Sequence, residues 1–369
     1  MLLFVFFFLV LVVALVFGLG FAAAEETRKK EKEEEVPTVE FPFRNLQDER
    51  GRRLNLIVLT APFREPGHRK LFAEYRQRGF GLVGMSSYME FPIPVENPHD
   101  TGFETSGSPT GRPEDDDYVG MVDAWLHCFR PEMVGRAGLH RLPHLLMTEA
   151  DLADPGLRTG PEFCGLAASC RYDFVYVCLR DNDQCTPGWQ SHNRNWELAL
   201  QCLPILCGPP FSLRGLIVGR DNCEGELAQR LGEEARANLT HVGFLPYWEF
   251  QEHLRGCKFL FVPNIADASP RVLTEAMGYD VRVLVNRHIV GGWHNVVPGV
   301  TGEFFGDETD LAAAVTRLLD PDRYAAYRPR RWFAENRGKN ISGRILASFL
   351  RDHFTNLLNY PDVQIATLG

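Results

Sequence analysis

The chain has 369 residues, 45% of them hydrophobic and 24% charged, an ordinary globular composition with length enough for two domains. Its formal net charge of −9 argues against a general nucleic-acid surface. The short basic cluster Arg328, Arg330 and Arg331 reads as a solvated helix end.

In chain order, residues 1–24 are almost wholly apolar and uncharged, long enough to span a bilayer. They end in Phe21-Ala-Ala-Ala24, which also reads as a small-residue cleavage site, so a cleaved signal peptide and an uncleaved signal anchor both stand open. The cleavage-site-like end favours an ER or Golgi lumen. Arg28, Lys29, Lys30 and Lys32 follow the apolar run rather than precede it, which would favour a cytosolic body if the segment stayed in the membrane. Two acceptor sequons, Asn238-Leu-Thr240 and Asn340-Ile-Ser342, lean weakly toward the lumen. Residues 25–51 are charged and read as a linker or stem. Nine cysteines occur without a C-x-x-C pair, which argues against zinc; an odd number leaves at least one thiol free.

The body begins near residue 52. Strands are predicted at 54–59, 82–88 and 144–147, and helices at 66–78 and 118–129. Residues 89–117 are rich in Pro, Gly, Thr and Asp and read as a long loop. From 172 onward, strand and helix alternate: strands at 172–179, 214–219, near 241, 257–262 and 281–285, and helices at 193–206, 224–236 and 246–255 between them. That pattern needs a doubly wound parallel sheet. A last helix is predicted over 345–358.

The richest stretch lies between the strands 257–262 and 281–285. Pro270 suits a first helical position and Ser269 its N-cap, so the N–H groups of Arg271 and Val272 would form a phosphate seat. Asp267 stands just before that seat and Glu275 within the helix, separated by seven residues. Carboxylates flanking a phosphate seat suit hydroxyl groups of a ribose or a hexose. For an isolated acid pair, a solvated surface helix would be the plainer reading.

At these residues the chain resembles the sugar-donor half of GT-B glycosyltransferases, the retaining group 1 type that uses nucleotide-sugars. Their signature is two glutamates separated by seven residues and followed by Ala-Met; here it is Asp267, then Glu275-Ala-Met277. Gly291-Gly292, Val296-Val297 and Gly299-Val-Thr-Gly302 before Glu303-Phe-Phe305 follow in the family's order and spacing. The match is good over about 257–320 and extends back toward Tyr172. It departs at Asp267, where a glutamate is usual, at Asp280, where a glycine usually closes the helix, and at Asn295, where a glutamate is common.

The resemblance implies an α/β chain of GT-B fold, two Rossmann-like domains with parallel sheets. The small N-terminal acceptor domain would span 52–165, the nucleotide-sugar domain 166–325, and a helical segment 326–369 would return to the first domain. It implies that Glu275 binds the ribose, Asp267 a hydroxyl of the transferred sugar, and the backbone of Ser269, Pro270, Arg271 and Val272 the phosphate. Arg180 and Arg194, with Asn193 beside it, would grip the diphosphate; a pair of surface arginines is the plainer alternative. Gly67 and His68, in the first strand-to-helix loop, would face the same ligand, or form an ordinary helix cap with an exposed histidine. The expected function is transfer of a sugar from a nucleotide-sugar, a co-substrate rather than a cofactor, to a glycan or glycoconjugate, with no metal and no nucleic acid. The membrane would be a partner only if 1–24 stays uncleaved.

Asp115-Asp-Asp117 mimics the metal motif of the other glycosyltransferase fold but stands before a helix, where acids are favoured anyway. Asn97-Pro-His-Asp100 offers polar groups for an acceptor, though a plain turn is the simpler reading. A non-catalytic sugar-nucleotide or glycan binder of the same fold, or a nucleotide-sugar epimerase, are the rival expectations.

Overall fold

Two six-stranded sheets carry the chain. The computed structural model describes residues 36, 38–87, 91–93, 117–154, 170–221 and 223–369. Residues 1–24, Asn97 to Asp100, and Asp115 and Asp116 therefore lie outside the described residues. Among those described, no helix is long and apolar enough to cross a membrane.

The second sheet is built from β6 (Tyr172–Val177), β7 (Gly215–Val218), β8 (Leu239–Val242), β9 (Cys257–Val262), β10 (Arg282–Asn286) and β11 (Gly302–Phe305). All its pairings are parallel. The order β8-β7-β6-β9-β10-β11 reverses direction between β6 and β9. Helices cover both faces. Phe174, Tyr176, Phe259 and Phe261 pack under helices Trp196–Cys207 and Glu308–Leu319. Val175, Leu260 and Val262 pack under Tyr247–Arg255 and Arg271–Gly278. Burial on both faces is why β9 is Cys-Lys-Phe-Leu-Phe-Val rather than an alternating strand.

The first sheet comprises β1 (Phe43–Asp48), β2 (Arg53–Leu59), β3 (Gly81–Met85), β4 (Ala124–His127), β5 (His144–Leu146) and β12 (Ala366–Leu368), ordered β12-β1-β2-β3-β4-β5. β2 to β5 are parallel, whereas β1 and β12 run antiparallel at one edge. Each parallel step moves the same way across the sheet. Right-handed crossovers then put the connecting helices on one face. The other face, with Leu56, Val58, Val83, Met85 and Leu126, is covered by helix Gly338–Phe354 through Leu346, Leu350 and Phe354.

Several boundaries differ from the sequence reading. The stretch read as a stem includes β1, whose Phe43 and Leu46 are buried. The helix predicted over 118–129 is one turn, Tyr118–Met121, followed by the buried strand β4. Ala124-Trp-Leu-His127 is buried throughout, and such a run carries no period by which to tell strand from helix. The helix predicted at 193–206 is broken at Asn195, which takes φ 53°.

Candidate active site

In open α/β sheets a ligand seat forms at the carboxyl ends of the strands where the order reverses. Here those ends are Val177 of β6 and Val262 of β9. Two loops rise from them and touch: the Ile265 N–H donates to the Asn193 carbonyl at 3.4 Å. The first loop is shaped by Asp181, whose carboxylate accepts the N–H groups of Gly188, Gln190 and Ser191 at 2.8, 2.5 and 3.0 Å and so holds the start of helix Trp189–Asn193.

Arg194 closes that helix, its carbonyl held by the Tyr176 hydroxyl at 2.9 Å. Its guanidinium forms an ion pair with the Asp267 carboxylate, joining the two loops. Asp267 also accepts from Asn264 Nδ2 at 3.1 Å and from the Ser269 N–H at 3.3 Å. Beside this pair, Asn193 Oδ1 is buried with no hydrogen-bond partner among the described residues. A buried acceptor left unmatched is costly, so it suits a ligand donor.

The next helix runs Arg271–Gly278, one residue later than the sequence reading, with Pro270 in the capping position. Ser269 does not cap it. Its hydroxyl instead accepts the Ala150 N–H from the first lobe at 3.0 Å. The N–H groups of Arg271 and Val272 fall in the first turn, where a helix leaves them without partners of its own. Glu275 stands in the second turn and accepts from Gln251 Nε2 at 3.2 Å and the Tyr247 hydroxyl at 3.4 Å. The two acids thus flank the helix start without a shared partner among these bonds.

The glycine pair 291–292 has a steric reason. A Cβ on Gly291 would lie 1.8 Å from the Ala268 carbonyl oxygen. Gly292 has φ 72°, and its Cβ would meet Pro270 at 2.5 Å. The loop after β10 is therefore pressed against the Asp267 loop. Asp280 takes φ 65° at the helix end, the conformation for which glycine is usual.

Arg180 is the third residue after β6, its N–H on the Gly219 carbonyl at 2.8 Å. Its guanidinium lies 3.2 Å from both Asp183 and Asp221, whose side chains are largely exposed. Exposed ion pairs contribute about 0–1 kcal/mol, so these hold the Arg180 guanidinium only loosely. Gly67 lies inside helix Pro66–Gln77, with open space around its Cβ position, so close backbone approach does not explain it. His68, expected to be an exposed cap or a ligand contact, is buried; its Nδ1 accepts the Arg64 N–H at 3.1 Å and its ring lies between Phe41 and Phe63. Asp117 caps helix Tyr118–Met121 and pairs with Arg141 at 2.7 Å.

Sequence reasoning missed two features and left the pairing of the cysteines open. Arg220, after β7, is fully buried: Nε donates to Cys178 Sγ at 3.3 Å, Nη2 to Ser191 Oγ, and the guanidinium stacks on Trp196 at 4.1 Å. The signal was present, since Leu179-Arg-Asp181 and Gly219-Arg-Asp221 repeat Arg-Asp after two neighbouring parallel strands. A disulfide between Cys185 and Cys223 ties the loops after those same strands together. Finally, Asp151 of the one-turn helix Glu149–Leu152 accepts from Asn295 Nδ2 at 2.8 Å and meets His294 Nε2 at 2.9 Å. His127 closes β4 nearby; burial first, then His144 and His294, push its pKa down to about 4.

These loops and sheets define a class. The chain has the GT-B fold, two α/β lobes with the strand ends of the second presenting the site. Residues 186–321 match the family model for glycosyl transferases group 1, and the chain carries that domain. Comparison with curated protein sequences finds no match. Among solved structures, a variant of S. aureus TarM in complex with fondaparinux, α-GlcNAc-glycerol and UDP superposes with TM-score 0.52 at 14% identity, over 78% of this chain and 53% of that one. The chain thus spans about half the length of TarM. Anabaena Alr3699/HepE in complex with UDP and glucose gives TM-score 0.52 at 15% identity, covering 80% of this chain and 78% of the other. Sucrose-phosphate synthase from Thermosynechococcus elongatus gives 0.50 at 16% identity, covering 77% and 71%.

Proposed function

We propose that the protein is a glycosyltransferase that moves a sugar from a nucleotide-sugar to a glycan or glycoconjugate, with retention of configuration and without a metal ion. The observation that carries this is the Arg194–Asp267 ion pair, which joins the two strand-end loops beside a helix start and an unmatched Asn193 oxygen. Arg194, Arg180 and the first-turn N–H groups of Arg271 and Val272 would hold the diphosphate. Glu275 would accept from the ribose and Asp267 from the transferred sugar.

In the transfer, the acceptor hydroxyl oxygen would bond to the anomeric carbon on the face that the diphosphate leaves, which keeps the configuration. The nucleoside diphosphate leaves with the electron pair, and its leaving oxygen takes up the hydroxyl proton. Two arginines and a helix start are fixed positive groups aimed at the charge that develops on the leaving oxygen, the main resource of such a site. They supply what a divalent cation would otherwise supply.

A panel of nucleotide-sugars and nucleoside diphosphates, read by thermal shift with EDTA present, tests this. A ligand at a hundred times its Kd adds about 2.7 kcal/mol of stability and must raise the melting temperature. Transfer or slow hydrolysis of the sugar donor that binds should follow. A panel without a single shift would sink the reading, and activity that needs added Mn²⁺ would remove its metal-independent part.

A further inference from the structure

A cavity of about 770 Å³ opens between the lobes, with Phe129, Arg130 and Met133 on one wall and Arg287, Val290 and Phe304 on the other. Its volume is that of a small-molecule site. It adjoins the site already described, because the Val290 N–H donates to the Ile265 carbonyl and the Gly291 N–H to the Asp267 carbonyl, both at 2.9 Å. The same loop therefore lines the cavity on one side and braces the backbone of the Asp267 loop on the other.

The wall carries three arginines against two glutamates, Glu132 and Glu303. Arg287 is paired with Asp310, and Arg317 with Glu303 at 3.0 Å. Arg130 differs. It is half-buried, and among the described residues no carboxylate lies within ion-pair distance of it. Nη2 donates to the Arg287 carbonyl at 2.8 Å, and the guanidinium stacks on Trp293 at 4.5 Å. Burial lowers its pKa, and the nearby charge of Glu132 only partly offsets it. A guanidinium has five N–H groups and a planar fork matched to carboxylate or phosphate. This one is already oriented by a carbonyl and an indole, so little order remains to be imposed when an anion arrives.

We propose that this cavity seats the acceptor, and that the acceptor carries an oxyanion, a carboxylate or a phosphate, which Arg130 grips while Phe129, Met133 and Phe304 pack against its body. The proposal names the substrate class for the glycosyltransferase reading and rests on it.

The test uses the full chain with glucose, glucuronic acid and glucose 6-phosphate as probes, by calorimetry, alone and with UDP or GDP present. The two anionic sugars should bind at least tenfold more tightly than glucose. Arg130→Gln should remove roughly tenfold to a hundredfold of that preference, the size of a lost charge-assisted contact. Arg130→Lys should keep part of it, and the better of the two anions tells carboxylate from phosphate. Equal affinity for neutral and anionic sugars, or a preference that survives Arg130→Gln, overturns the proposal. If Arg130→Gln does not fold, inorganic phosphate decides: it must compete with glucuronic acid on the parent protein, and failure to compete overturns the proposal. A parent that binds no member of the nucleotide panel defeats the sugar-donor reading, while the sugar arms still decide the cavity.

Discussion

Asp151 and His294 meet across the two lobes, carboxylate oxygen to Nε2 at 2.9 Å, both side chains buried. Asn295 Nδ2 and the Thr148 N–H donate to the same carboxylate at 2.8 Å each. Burial alone would raise the Asp151 pKa, but His294, then Asn295 and Thr148, outweigh it and hold it at about 2. Asp151→Ala would leave these donors buried without an acceptor. Breaking a buried pair from one side costs about 3–5 kcal/mol, so urea unfolding of this variant should shift by that order. The carboxylate's contribution is complete above its unfolded pKa near 3.8 and is lost as pH falls through about 2. An unchanged midpoint would show that the lobes do not depend on this contact.

His127 should impose a pH dependence of its own. The folded protein keeps its ring neutral down to about pH 4, whereas the unfolded chain takes up the proton near 6.5. Stability therefore falls as pH drops from about 6.5 to about 4 and levels off below. At about 1.4 kcal/mol per unit, this window is worth roughly 3 kcal/mol. His127→Asn should flatten that part of the stability profile. An identical profile for parent and variant would remove His127 as the cause.

The Arg194–Asp267 ion pair makes the two residues inseparable in binding. Asp267→Asn weakens the hold on the Arg194 guanidinium, and Arg194→Ala leaves Asp267, among the described residues, with Asn264 and the Ser269 N–H. Their effects on nucleoside diphosphate affinity should therefore not add, with a coupling of about 0.5–3 kcal/mol in a double-mutant cycle. Glu275→Gln should act independently and weaken the nucleotide roughly tenfold to a hundredfold. Additive Arg194 and Asp267 effects would show that the pair is not kept in the bound state.

How much of this was legible follows from what each residue answers to. The second sheet was legible because its strands are buried on both faces and separated by helices, so each reads as an apolar block. β12 was not, because an edge strand of three residues resembles a tail, and β1 was not, because Phe-Arg-Asn-Leu-Gln-Asp holds only two apolar residues in six and reads like the charged stretch before it. The Asp267 loop was legible as a motif, but its partnership with Arg194 joins positions 73 residues apart and belongs to the fold alone. Ser269 was read as a cap from its neighbours, and the first lobe claimed its hydroxyl instead. Asp151, His294 and Arg130 carry no local pattern, since each acquires its meaning only across the lobe boundary.

Cys185–Cys223 closes a loop of 38 residues, which in the chain-entropy account is worth about 3–4 kcal/mol. The bond lies close in sequence to Asp183 and Asp221, the two acids that hold Arg180. Reduction with dithiothreitol, or a double serine variant, should lower the melting temperature and weaken the nucleoside diphosphate together. Loss of stability with unchanged nucleotide affinity would separate the bond from the site.

The helix Gly338–Phe354 and β12 complete a sheet whose other strands all precede residue 147. During synthesis, β1 to β5 emerge long before their cover is made, with Leu56, Val58, Val83 and Leu126 as an open apolar wall. The second lobe can close on itself in the interval. The first waits for the tail of the chain, so a chain released only as far as residue 337, with Phe333 in place in the second core, would carry a closed second lobe beside an unfinished first one, the half most open to chaperones and to premature aggregation.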